Sequence, residues 1–388
     1  MSERSLAHIE KIAWVKPIEG ADNIELIGVL GWVCIAKKGE FKPDDICIYF
    51  EIDSKLPEAE WSEFMRSKHF KVKTMKLGKF NVISQGLALP IECIPELQDK
   101  KLEVGTDVTE LLGVTYSLIE DNIRKSKNGD PNAKYKSMAA RHKKLFKKKP
   151  FRWLMKRDWG KKLLFLFFGK KKDNPKAFPE WIHKTDETRI ENAPFYLEST
   201  DPWIKTEKID GTSSTYAIDF MNPKIKTGDF IVCSRNVRQK DEEQTCYHEC
   251  GNVYWEMVDK YSIEQSLRNI ANDFNAKRVV LQGETYGLAV QGNPYKLKER
   301  RFAAFNLIID GIRFDSVRAK EILELYCIPF VPIIDTNYYL PKDMETFKLE
   351  ADGKSLISDV PREGFVYRSL DGIKSFKNVS REFLLKHS

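Results

Sequence analysis

Long apolar runs are missing from this chain. The longest, Leu163 to Phe168, is six residues, whereas a helix that crosses a bilayer takes ~20, so no membrane partner is expected. The opening residues, Met1-Ser2-Glu3-Arg4, hold none of the apolar stretch of a secretory signal. Cysteine is sparse and odd in number, seven scattered over 388 residues. That excludes a disulfide framework and fits a reducing compartment, so a soluble, cytoplasmic protein is expected. Neither a Walker phosphate loop nor a dinucleotide fingerprint is present, and a nucleotide, if handled, is held by other means. The six histidines form no triad pattern with a serine or cysteine nucleophile, which removes acyl transfer. Cys246 and Cys250 flank His248, but no second ligand pair with zinc-like spacing accompanies them. Internal repeats are absent as well.

What is present is charge, unevenly placed. Between Lys134 and Lys176 stand 17 Lys and Arg against two acids, Asp158 and Asp173, a surplus of 15. The net charge of the whole chain is +7, so everything outside that segment sums to −8. A dense basic stretch attracts polyanions and releases counterions when it neutralises phosphates. Its aromatics, among them Trp153 and Trp159, can stack on bases. Nucleic acid is the leading partner on this ground; a solubilising linker and an anionic lipid surface are the alternatives.

With 42% hydrophobic and 31% charged residues over this length, two or three folded domains are expected. Residues 1–118 read as short strands, Ile24 to Ala36, Asp45 to Asp53, Phe70 to Leu77 and Phe80 to Pro90, punctuated by glycine and proline. Such spacing suggests a small β-barrel or sandwich. Residues 119–195 form the basic connector. From 196 to 388 strands and helices mix: a helix is expected after Ser262, through Ile263, Leu267, Ile270 and Phe274, and another over Ser316 to Tyr326. Strands are expected at Ser213 to Phe220, Phe230 to Cys233, Arg278 to Gln282, Phe302 to Ile309 and Gly364 to Arg368.

The sharpest local sequence is Thr206-Glu207-Lys208-Ile209-Asp210-Gly211-Thr212. A lysine in a strand-like stretch closed by glycine can act as a nucleophile, although alone it is an ordinary turn. Five further segments, in chain order, change its meaning: Ser234-Arg235-Asn236, Gln282-Gly283-Glu284, Phe302-Ala303-Ala304-Phe305-Asn306, Glu363-Gly364-Phe365-Val366-Tyr367-Arg368 and Ser375-Phe376-Lys377. The series resembles the covalent nucleotidyltransferase superfamily of ligases and RNA-capping enzymes, motifs I, Ia, III, IIIa, IV and V. Near the N-terminus, Ile18-Glu19-Gly20-Ala21-Asp22-Asn23, Tyr49-Phe50-Glu51-Ile52-Asp53-Ser54 and Ser84-Gln85-Gly86-Leu87 look like one branch, as does Thr185-Asp186-Glu187-Thr188-Arg189-Ile190 in the connector. That branch is the ATP-dependent RNA ligases with an N-terminal OB domain, the type found in the amoeba Naegleria. Eleven residues follow Lys377, so the OB domain is expected before the transferase domain and not after it.

The resemblance implies a multidomain fold: an N-terminal OB-fold β-barrel and a C-terminal α+β nucleotidyltransferase domain, ATP-grasp-like, of the ligase and capping-enzyme kind. It implies a lysyl-AMP on Lys208, formed from ATP, then transfer of AMP to a 5′-phosphate and sealing by a 3′-hydroxyl. Asp210, Glu284 and Glu363 are the expected Mg²⁺ or Mn²⁺ site, since carboxylates and waters suit a hard ion that also touches phosphate. Lys377 is expected on the α-phosphate, Arg235 on the ribose or the 5′-phosphate end, Phe305 against adenine and Glu207 on the adenine amine. Ser375 stands where many relatives have a first lysine, which leaves Lys374 one residue out of register. The expected partner is RNA with 3′-hydroxyl and 5′-phosphate ends, a nicked duplex included, and the expected state a monomer. A DNA or hybrid-duplex ligase is the enzyme alternative, and a non-catalytic nucleic-acid-binding OB protein the alternative of another class.

Overall fold

A computed structural model of the chain describes residues 5–98, 102–116, 135, 148–168, 176–221, 227–239 and 252–387. The Cys246, His248 and Cys250 group lies outside the described residues, as does part of the basic connector.

The N-terminal strands are β1 (Ala7–Pro17), β2 (Ile24–Val29), β3 (Trp32–Lys37), β4 (Ile46–Phe50), β5 (Ser54–Lys55), β6 (Met75–Leu77), β7 (Val82–Ser84), β8 (Leu87–Pro90) and β9 (Thr115–Tyr116). Five of them make an antiparallel sheet in the order β3-β2-β1-β4-β8. Strand β1, which the sequence pattern did not single out, is its hinge. Its first half pairs with β4 and its second half with β2, with a bulge between Ile12 and Trp14. A bulge bends and twists the strand that carries it, and here it rolls the sheet into the expected barrel. The barrel fills on one side with Ile9, Ile48, Phe50 and Leu56, and on the other with Ile12, Ile27, Val29 and Trp32.

After the basic helices α1 (Lys149–Met155) and α2 (Asp158–Phe168), the chain lays down two further sheets. Strands β10 (Lys176–Ala177), β13 (Thr212–Asp219), β14 (Asp229–Ser234), β15 (Val237–Arg238), β16 (Arg278–Gly287), β17 (Arg300–Ile309) and β18 (Ile312–Arg313) form the larger, in the order β10-β15-β14-β13-β16-β17-β18. The smaller holds β11 (Thr188–Arg189), β12 (Trp203–Lys208), β19 (Ile333–Tyr338), β20 (Gly364–Ser369) and β21 (Ser375–Val379), in the order β11-β21-β20-β12-β19. Every pairing between these strands is antiparallel except β11 with β21. Alternation along β13 sends Tyr216 and Ile218 to one face, where Leu267, Ile270 and Ile322 cover them, and Ala217 to the other.

The covering helices are α3 (Val253–Lys260), α4 (Ile263–Asp273) and α5 (Ser316–Glu324). The last two stand where helical spacing placed them. Ser262 does precede α4, but it takes a left-handed conformation and makes no side-chain cap bond. Helix α3 was not expected; Asn252 caps it, accepting from the N–H groups of Tyr254 and Trp255. Two short helices, α6 (Met344–Leu349) and α7 (Arg381–His387), complete the domain. Among the described residues no helix is long and apolar enough to cross a membrane.

The barrel and the two-sheet domain meet along a buried polar seam. The Gly31 N–H donates to Glu191 O at 2.8 Å, and Trp32 Nε1 donates to Asn192 Oδ1 at 2.5 Å. Lys348, 1% exposed, donates to Gln85 Oε1 at 2.8 Å and lies 3.5 Å from Glu191 Oε1. Val379 and Leu384 from the C-terminal end pack into the barrel's own core. The seam sets barrel residues Asp53 and Tyr116 at the edge of a cavity that opens between the two sheets.

Candidate active site

Strand β12 belongs to the smaller sheet and β13 to the larger. The chain crosses from one to the other in three residues, Ile209-Asp210-Gly211. A Cβ on Gly211 would stand 2.3 Å from Thr285 O, so only glycine lets the crossing run this close to β16. The cleft opened between the sheets is a cavity of about 480 Å³. Lys208, the last residue of β12, points into it, and β20 opens beside it with Glu363 just before Gly364. Gly364 has φ +150, and a Cβ there would meet Asn378 O at 2.1 Å.

Lys208 Nζ donates to Glu363 Oε1 at 2.5 Å. The other oxygen of Glu363 is buried and has no hydrogen-bond partner among the described residues. Burial works against the Lys208 ammonium, but Glu363, Glu284 and Asp210 outweigh it and hold the amine above the ordinary lysine range. The acids bear the opposite strain. Burial, with Glu363 nearby, pushes Asp210 up to about 7 despite Lys208. Burial also lifts Glu284 to about 8; Lys208 offsets part of that rise while Glu363 and Asp210 add to it. Three carboxylates thus share one cation.

Acidic side chains outnumber basic ones across the whole cavity. Its lining holds seven acids (Asp53, Asp186, Glu187, Glu207, Asp210, Glu284, Glu363) against five cations (Arg189, Lys208, Arg235, Arg368, Lys377). A polyphosphate entering such a place brings more of the same sign, so added positive charge is required. Hard oxygen donors and an orphaned carboxylate oxygen fit a divalent ion. Among the described residues no three His, Cys, Asp or Glu side chains converge closely enough to grip a metal directly. The donor set therefore suits an ion held through water.

All eight residues singled out in the sequence line this one cavity. Phe305 is half-buried on its wall, with the Arg368 guanidinium 5.8 Å from its ring, while Phe302 is fully buried core. Glu207 is buried and its carboxylate is already engaged, accepting from the Ser355 hydroxyl and, at 2.9 Å, from the Leu356 N–H. Arg235 and Lys377 both reach Asp186. Lys374 is exposed and stays outside the cavity lining.

Sequence reasoning gave no role to five charged residues of the lining, Asp53, Asp186, Glu187, Arg189 and Arg368. Arg189 is 8% exposed, 3.5 Å from Asp53, and two of its three guanidinium nitrogens are buried without a partner among the described residues. Arg368 donates to Glu187 at 3.0 Å. Arg368 and Ser375 hold the Glu187 carboxyl below the usual range although burial opposes them. Asp186 and Glu187 come from the stretch that resembled a family signature, and only that resemblance could have marked them.

A barrel sealed onto a two-sheet domain, with a lysine and three carboxylates in the cleft, defines an OB-linked nucleotidyltransferase. Comparison with known proteins narrows the class. A family model for RNA ligases matches residues 201–386, and an OB-fold domain model matches residues 6–91. Solved structures of Naegleria gruberi RNA ligase variants superpose over the full length. One with ATP and Mn is 28% identical, covers 99% of both chains and has a TM-score of 0.74. Another with AMP and Mn has the same identity and coverage and a TM-score of 0.75. A third, in the apo state, is 28% identical, covers 100% of this chain and 99% of its own, and also has a TM-score of 0.75. No curated protein matches the chain in a sequence search. The protein is an enzyme of the RNA ligase kind, with an OB-fold domain in front.

Proposed function

We propose that this RNA ligase uses ATP to seal a 3′-hydroxyl to a 5′-phosphate through an adenylate on Lys208. The observation that carries the reading is the Lys208 amine, set among Asp210, Glu284 and Glu363 in the cleft between the sheets. Lys208 Nζ attacks the α-phosphorus of ATP; an N–P bond forms, the bond to the β-phosphate oxygen breaks, and pyrophosphate leaves. A 5′-phosphate oxygen of RNA then displaces the lysine, taking AMP. The 3′-hydroxyl of the adjoining end attacks that 5′-phosphate, and AMP departs.

The first step needs the amine unprotonated, whereas its neighbours keep it charged at rest. Asp210, Glu284 and Glu363 would hold a Mg²⁺ or Mn²⁺ ion, and Mn accompanies ATP or AMP in the Naegleria structures. When bound, the ion supplies the positive charge that lowers the amine's pKa and offsets charge at the phosphate. Lys377 faces the α-phosphate, Arg235 the ribose or the RNA end, and Phe305 the adenine ring. Glu207 serves adenine through whatever lone pairs Ser355 and Leu356 leave open.

In this reading residues 1–118 are the OB domain, 119–195 the connector and 196–388 the transferase domain of a cytoplasmic monomer. The described part of the connector supports an RNA-binding role. Helices α1 and α2 expose Trp153 and Trp159, with the Arg157 guanidinium 3.8 Å from the Trp153 ring. The test is incubation with labelled ATP and Mg²⁺, followed by matched nicked RNA and nicked DNA duplexes. A protein–AMP adduct that discharges onto RNA and seals it is the expected result. Equal or better sealing of DNA would turn the assignment to the DNA or hybrid-duplex alternative. Absence of any adduct would leave only a binding role.

A further inference from the structure

Arg235 and Lys377 come from opposite sheets, yet they meet at one carboxylate. Asp186 Oδ2 accepts from Arg235 Nη2 at 2.9 Å, and Asp186 Oδ1 lies 3.4 Å from Lys377 Nζ. One oxygen to each cation is also how a phosphate group would bridge the pair. The next residue in the chain makes an informative contrast. Glu187 is 17% exposed, bound to the 4% exposed Arg368 and to Ser375, and it ties β20 and β21 together from below. Asp186 is 44% exposed and Arg235 54%. A pair as open as that contributes only about 0–1 kcal/mol to a fold, so holding the fold together does not explain it. Lys377 is 15% exposed and sits deeper in the cleft. A carboxylate at the mouth therefore satisfies two cations that the chemistry needs for phosphate.

We propose that Asp186 is a specificity-determining residue whose carboxylate occupies a phosphate seat between Lys377 and Arg235 and yields it when a phosphate group binds. This rests on reading the Lys208 cleft as the adenylylation site. The physical logic is competition. Without Asp186, two cations beside a deep cleft would hold any small anion, including the inorganic pyrophosphate that the first step releases. With it, an incoming phosphate must first displace a tethered anion. Only a ligand with further contacts, such as the adenine and ribose of ATP or the body of an RNA end, does so readily. The seat could serve the α-phosphate of ATP or the 5′-phosphate of RNA, and the test separates the two.

The experiment compares the wild-type chain with Asp186→Asn and with the conservative Asp186→Glu. Calorimetry reads the binding of inorganic pyrophosphate to each unadenylylated protein. Single-turnover assays read the ATP dependence of adenylylation, and then the RNA dependence of AMP transfer from preadenylylated protein. Asp186→Asn should bind pyrophosphate about two- to tenfold more tightly, the range expected for removing one partner from two partly exposed pairs. It should also lower the half-saturating concentration in one of the two assays by more than it changes the maximal rate. A drop for ATP assigns the seat to the nucleotide, and a drop for RNA assigns it to the 5′-phosphate. Asp186→Glu should stay near wild type. Weaker pyrophosphate binding by Asp186→Asn would mean that the carboxylate orients the cations, and would overturn the proposal. Unchanged values in all three measurements would overturn it as well. A wild-type protein that takes no label from ATP sinks the functional reading instead, while the pyrophosphate arm still decides the seat.

Discussion

Two lysines of this molecule are enclosed among acids, and they differ in a way that separates structure from chemistry. Lys348 in the seam is 1% exposed; burial pulls its pKa down although Glu191 pushes the other way. Lys208 in the cleft is 25% exposed, and three carboxylates hold its pKa up. A depressed lysine pKa is the usual mark of a nucleophile, so pKa alone would choose Lys348. Geometry reverses the choice. Lys348 has Gln85, Glu191, Gly31 O and the Trp32 ring about it and takes no part in lining the cleft. Lys208 faces about 480 Å³ of space whose lining also holds Arg235, Arg368 and Lys377. On the proposed reading, the carboxylates around Lys208 keep the nucleophile charged at rest, and the positive charge that arrives with the metal and ATP would free it.

The comparison breaks most sharply by mutation of each lysine in turn. Lys208→Ala should abolish the protein–AMP adduct, because Lys208 is the lysine bonded to Glu363 and set beside Glu284 and Asp210. Lys348→Met should still form the adduct wherever the protein is folded. A label mapped by mass spectrometry to Lys348, or to any other lysine, would reverse the assignment. The carboxylates come next. A divalent ion supplies several kcal/mol of charge stabilisation, so Asp210→Asn or Glu363→Gln should slow adenylylation by about 10²-fold or more. Raising the Mn²⁺ concentration should recover part of the rate, and a rate that ignores the metal concentration would detach these residues from it.

The cleft was legible in the sequence because each of its motifs is local. Lys208, Asp210 and Gly211 sit within four residues, Glu363 precedes its glycine, and both signals reflect backbone that must pass close to another strand. The order of the motifs did the rest. What stayed hidden was pairing over distance. Arg368 finds Glu187 and Lys377 finds Asp186 from more than 180 residues away, and no local pattern announces such a meeting. Strand β1 escaped for a related reason. His8 and Glu10 interrupt its apolar residues, and their burial is offset by the bond between them and by Glu51 beside His8. The expected adenine contact of Glu207 also looks different in three dimensions, since the sequence could not show that Ser355 and Leu356 already use its oxygens.

A third prediction tests the seam itself. Lys348→Met keeps the stem of the side chain but leaves Glu191, 2% exposed, without its cation. Removing one partner of a buried pair costs about 3–5 kcal/mol, because the remaining charge stays desolvated. Denaturant unfolding of Lys348→Met should show a loss of that order. The double variant Lys348→Met, Glu191→Gln should recover a large part of it, since the stranded charge is gone. A double variant no better than the single one would show that the lost bond to Gln85 matters, and the charge does not.

The smallest effect belongs to His8 and is a matter of pH. His8 Nδ1 lies 2.8 Å from Glu10 Oε1, and Nε2 lies 3.8 Å from Glu51 Oε1. The Tyr49 ring stands edge-on at 5.3 Å. Burial by itself would lower the imidazole's pKa, but bonds and attraction to Glu10 and Glu51 outweigh it and raise it from 6.5 to about 9. A pKa raised in the folded state means that folding favours the proton. The resulting stability is fully present below about pH 6.5 and fades as pH climbs through about 9. Its size is on the order of 2–3 kcal/mol, from 1.36 kcal/mol per unit and with some allowance for partial exposure. Unfolding midpoints measured at pH 6, 8 and 9.5 should therefore fall across that interval in the wild type. His8→Gln should flatten the fall while lowering stability at pH 6, because Glu10 and Glu51 would then face each other without a cation. Glu51 also accepts a bond from Asn192 across the seam, so the loss at alkaline pH should loosen the barrel from its partner domain before it touches the cleft. Adenylylation that outlasts end joining as pH rises would show that order of events, and simultaneous loss would place the barrel's grip and the lysine's chemistry in one cooperative unit.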